Sequence, residues 1–132
     1  EAIDYGLRLL LTLGERLTDE VPSFWTLFQI LRLRRRLRGR SSESLLRLPA
    51  MTDWKKLAAM QILNLLLVYT WLNKKELTAR ICLRMITLTL DYGLSSTSCV
   101  AFAMLGALVC RYVYRYAMLL VVLTLLDIQP IR

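Results

Sequence analysis

The chain contains no histidine, and that absence alone removes a large part of protein chemistry. No histidine-dependent nucleophile pair or triad can be assembled, no imidazole can ligate zinc, and no phospho-accepting histidine is present. Cysteine is scarce as well. Cys82, Cys99 and Cys110 follow no CxxC spacing, which excludes short zinc motifs. On one helix Cys99 and Cys110 would stand about 16 Å apart, at 1.5 Å rise per residue, too far for a disulfide. Buried, reduced thiols in a cytosolic protein are expected. No GxxxxGK[ST] or GxGxxG loop occurs. The carboxylates Asp4, Glu15, Asp53 and Asp91 are scattered singly, with no pair sharing an apolar helix face as a catalytic dyad on a helix requires, so solvated or capping roles are expected for them. The sequence predicts no enzyme, no cofactor and no metal.

What is present is apolar and basic. Of the 132 residues, 56% are hydrophobic, the mean hydropathy is +0.45 and the net charge is +8. That apolar share exceeds the roughly 45–50% of an ordinary soluble domain. A single domain of this size cannot hide it all, so the excess is expected to face neighbouring repeats, a partner or lipid. The longest uncharged stretches, Leu57–Asn73 and Tyr92–Cys110, are interrupted by Gln61 and Asn64, and by Gly93 and the polar run Ser95–Ser98. Each falls short of the roughly 20 apolar residues of a spanning helix, and helices buried in protein explain them better.

Periodicity and punctuation make the chain all-α. Glu1–Leu17 reads as a helix with Ile3, Leu7, Leu10 and Leu11 opposite Asp4, Arg8, Thr12 and Glu15. Pro22 opens a second helix reaching about Arg38, with Gly39 at its C-cap. Ser41–Leu48 is a short helix stopped by Pro49. Asp53 or Thr52 caps a helix to about Leu72. Asn73 with Glu76 resembles a capping box that starts Lys74–Asp91, which Gly93 ends. Ser95 or Ser96 caps Thr97–Cys110, and a last helix runs to about Leu126 before Pro130. Short connections between helices of this length give antiparallel pairs. Tyr5–Leu10 faintly echoes Tyr116–Val121, a separation that three units of about 37 residues would fit, near the 34-residue tetratricopeptide period.

Two segments are more specific than helical texture. Leu48-Pro49-Ala50-Met51-Thr52-Asp53-Trp54-Lys55-Lys56-Leu57-Ala58-Ala59-Met60 and the stretch from Leu83 through Asp91-Tyr92-Gly93-Leu94-Ser95 to Cys110 resemble the helical-repeat region of multidomain signalling proteins. In those proteins a P-loop ATPase module and a histidine-kinase or related output module flank the repeats. The resemblance implies a tetratricopeptide-like right-handed array, a single helical-repeat domain over residues 1–132 belonging to a longer chain, and a scaffold between catalytic modules that lie elsewhere. There are two departures. Trp54 stands where such proteins often carry proline, and Cys110 runs into Arg111-Tyr112 without a Gly/Asp-rich turn. Either residues are missing from that connection or the last two helices are continuous.

The sharpest electrostatic feature is Arg32-Leu33-Arg34-Arg35-Arg36-Leu37-Arg38-Gly39-Arg40. Residues 31–56 hold nine Lys/Arg against Glu43 and Asp53, which is +7 of the net +8. A solvated helix end accounts for part of this, since cations near a C-terminus are favoured by about 0.3–1 kcal/mol each. The functional reading is an anionic partner surface built from Arg32, Arg35, Arg36 and Arg40, with Ile30, Leu33 and Leu37 facing the core. Trp25 and Phe28 precede the run and read as core, so no stacking platform for bases is expected and nucleic acid is the least favoured partner. Protein partners or neighbouring domains come first, with membrane contact anchored by the basic segment as the alternative. Changing the four arginines to glutamine should shift thermal stability by under about 0.5 kcal/mol. The same change should weaken partner binding, most at low salt where screening is least.

Overall fold

The computed structural model describes residues 1–17 and 23–127, and these form six helices and no strand. They are α1 (Ala2–Thr12), α2 (Ser23–Leu37), α3 (Ser42–Leu46), α4 (Trp54–Asn73), α5 (Lys75–Tyr92) and α6 (Ser98–Asp127). The expected all-α class holds. Pro22 lies outside the described residues.

Helix α5 is the centre of the molecule. Leu77, Ile81, Cys82, Met85, Ile86 and Leu88 are fully buried along it, because α4, α6 and α2 all pack against it. Helix α4 contributes Ala59, Met60, Leu63, Leu66 and Leu67 to the same core, and α6 adds Ala101 and Leu108. Helix α1 lies mainly on α4, where Gly6 lets the two backbones approach over Leu66. Consecutive pairing was expected throughout, yet the principal contacts of α1 are with α4 and those of α2 are with α5. The arrangement is set by burial of apolar stripes, not by chain order.

Several predicted boundaries are reproduced. The Asp53 carboxylate accepts from Lys55 N at 3.0 Å and caps α4. The short helix expected over Ser41–Leu48 forms as α3 but is shorter, with Ser41 as its cap through Ser44 N and its last residue Leu46. Gly39, at φ +82°, follows α2 in the left-handed region that glycine tolerates. Other boundaries differ. Helix α1 ends at Thr12, five residues before Leu17, because the chain turns to bring Glu15 inward. The Asn73–Glu76 capping box does not form: Asn73 donates to Tyr69 O, and the N-cap position of α5 is taken by Lys74. The two helices expected after Gly93 are one, since nothing between Cys110 and Tyr116 interrupts the hydrogen-bond ladder. Trp25 and Phe28, expected in the core, are about half exposed and stack on each other at 5.6 Å. Among the cysteines only Cys82 is buried, its thiol donating to Ala101 O at 3.1 Å; Cys99 and Cys110 are exposed. Burial pushes the Cys82 thiol up to about 12.

A short backbone clasp joins two distant turns. Met51 N donates to Leu94 O at 2.7 Å and Leu94 N donates to Pro49 O at 2.8 Å. Gly93 makes this possible with φ +114°, and a Cβ there would collide with the Pro49 carbonyl oxygen. Gly93→Ala combines left-handed strain with a backbone clash and should destabilise the fold by at least about 2 kcal/mol, read as a lower urea midpoint.

Candidate functional site

Helix α2 presents its arginines around one apolar seam. Leu33 is buried and Ile30 and Leu37 are half-buried against the core, as the spacing requires. Arg32, Arg35, Arg36 and Arg40 are all exposed. They do not form one patch. Arg36 reaches across to α5 and pairs with Asp91, each side chain about 40% exposed. Arg32 and Arg36 border a groove between α2 and α5, Arg35 lines a second hollow with Phe28, Leu31, Arg34 and Arg38, and Arg32 stands between the two and borders both. Arg40 lies beyond both, past the Gly39 turn. The exposed Trp25–Phe28 stack places aromatic surface one turn from the arginines, which the core reading of those rings did not anticipate.

The strongest electrostatic arrangement was not predicted. Glu15, expected to be solvated, is 0% exposed. Its Oε1 accepts from Lys56 Nζ of α4 at 2.6 Å, and its Oε2 accepts from Arg84 Nε of α5 at 2.5 Å. A second bond comes from the Arg84 guanidinium terminus to Oε2. The Lys56 ammonium also lies 4.9 Å from the Tyr92 ring centroid, within cation–π reach. The three charged residues are separated by 41 and 69 positions, so no local spacing announces them. The only sequence signal is a lone acid beside Gly14, after an apolar helix. The arrangement ties three segments together, and among the described residues no second carboxylate is paired with it.

Polar side chains elsewhere serve the fold. The Thr89 and Ser98 hydroxyls meet at 2.8 Å, and Ser98 Oγ accepts from Ser95 N at 3.0 Å, fixing the turn from α5 to α6. Among the described residues no group of three His, Cys, Asp or Glu side chains could hold a metal. Compared with known proteins, the chain matches no family model, no curated protein and no solved structure.

Glu15 alone of the three is fully buried, so removing its charge leaves Lys56 and Arg84 partly exposed and without their shared partner. Glu15→Gln should therefore destabilise the protein by about 1–3 kcal/mol in urea unfolding. Alkaline pH tests the pair separately. The Glu15 hydrogen bond holds the Lys56 ammonium above its ordinary value of 10.5. A raised folded-state value means the stabilisation is complete below the unfolded lysine range and is lost as pH rises through the folded value. The stability difference between the natural chain and Lys56→Met should be constant at neutral pH and shrink above 10.5.

Proposed function

We propose that this chain is a non-catalytic helical-repeat scaffold, a tetratricopeptide-like interaction module from a cytoplasmic signalling protein whose ATPase and kinase modules lie elsewhere. The observation that carries this reading is the large apolar surface left uncovered at the edges of a well-packed centre. On α2, Phe24, Trp25, Leu27, Phe28 and Leu31 are exposed; on α6, the side chains from Val113 to Leu126 are almost all exposed, Leu120 at 64%. Repeat arrays have this property internally, because each unit buries its outer face only against the next. The clasp between residues 49–51 and 94 supports the same reading, since it joins the two segments that carry the resemblance. Exposed arginines beside exposed aromatics suit an acidic protein partner, a composition common at interaction surfaces.

One observation favours membrane association as a second reading. Helix α6 from Ser98 to Leu126 is long and apolar enough to cross a membrane, and only 6% of its most apolar window is buried. Its exposed residues run round the whole helix beyond Tyr116, while Arg111 and Arg115 stand at its middle.

Light scattering separates the two. A scaffold lacking its neighbours should associate at micromolar concentration without detergent, and Leu119→Gln, Leu123→Gln and Leu126→Gln together should return it to a monomer. A stable soluble monomer of the unaltered chain would overturn the scaffold reading. Co-flotation with lipid vesicles, lost in the same triple variant, would move the assignment to the membrane.

A further inference from the structure

The groove between α2 and α5 carries chemistry that scaffolding does not use. Arg32 and Arg36 lie one turn apart on α2, facing Arg80 and Arg84 one turn apart on α5, and Arg16 closes one end. Five arginines thus line a hollow of about 620 Å³, within the range of small-ligand sites, with Asp91 as the one acidic lining residue among the described residues. Its floor includes the buried Leu33 and Leu83. Apolar flooring lowers the local dielectric and strengthens whatever ion pairs form above it.

The charges are not all committed. Arg84 is held by Glu15, which it shares with Lys56, and Arg36 is held by Asp91. Arg16 and Arg32 make no ion pair with a described residue. Two charged forks therefore border a basic hollow beside which the described carboxylates Glu15 and Asp91 already have partners. Guanidinium groups match tetrahedral phosphate oxygens bidentately, and several converging on one volume suit an anion with more than one phosphate. An acidic peptide would need an open run of length; this groove is confined between two helices.

We propose that the α2–α5 groove binds an oligophosphate group, with Arg16 and Arg32 as its principal contacts. The site is independent of the scaffold reading and stands or falls separately. The probe is inorganic tripolyphosphate, titrated calorimetrically into the full chain. Saturable binding at one site per chain is expected, together with a rise in thermal midpoint. Arg16→Gln with Arg32→Gln should weaken binding by about ten-fold or more, as loss of charge-assisted hydrogen bonds does. Arg34→Gln with Arg38→Gln removes the same charge outside the groove and should change affinity by less than about two-fold. Circular dichroism checks the helix content of both variants. Should the glutamine pair lose its helices, Arg16→Lys with Arg32→Lys replaces it, keeping the charge and losing the bidentate geometry; affinity should again fall.

Vesicles bearing a polyphosphoinositide headgroup form the second arm. Vesicle binding that needs Arg16 and Arg32 and is displaced by tripolyphosphate assigns the phosphate to a lipid; tripolyphosphate binding without vesicle binding assigns it to a soluble ligand. Absence of tripolyphosphate binding, equal losses in both glutamine pairs, or tighter binding of an oligoglutamate peptide in the same groove would each overturn the proposal.

Discussion

A carboxylate with no access to water holds this fold in register. Glu15 can be buried only because Lys56 and Arg84 converge on it, and each comes from a different helix. Burying one charge alone would be prohibitive; burying it between two cations fixes where three segments meet. The residues after α1 must turn inward, α4 must present Lys56 at its first turn, and α5 must present Arg84 at its middle. Once α5 is oriented this way, its apolar stripe faces α4 and α6, and its polar stripe of Arg80, Arg84, Thr87 and Asp91 is left for α2 to cover. The arginine groove follows from the placement of that acid.

Local signals were legible in the sequence, and the long-range ones were not. Asp53 and Gly39 act through bonds or dihedrals within a few residues, so their roles follow from spacing alone. The amphipathic stripe of α5 was equally readable, because a period of 3.6 reports which side faces protein. Asn73 shows where such reasoning stops. A capping box was available, yet the single-residue connection at Lys74 kept Asn73 in the end of α4 and left its amide bonding backward to Tyr69. Glu15 shows the other limit, since its partners lie on helices whose placement no local pattern gives.

The arginine run was visible as charge but not as geometry. Helical spacing places Leu33 inside and the arginines outside, which the structure reproduces. Spacing cannot say that α5 runs beside α2, so it could not separate Arg36, paired to Asp91, from Arg35 on the far hollow. The same blindness put Trp25 and Phe28 in a core that does not extend to them. Large rings are usually inside, and here too few helices surround α2 to enclose them.

Helix α6 turns a small motion into a large one. Its first third is clamped, with Ala101 and Leu108 in the core and Ser98 held by Thr89, while the residues beyond Cys110 extend as unbroken helix for about 26 Å at 1.5 Å per residue. A rod fixed at one end is a lever. Tilting the α5–α6 seam by about five degrees would carry the far end through about 2 Å, comparable to the helix shifts by which subunit interfaces switch. The apolar tip thus reports the packing state of a core that it does not itself touch.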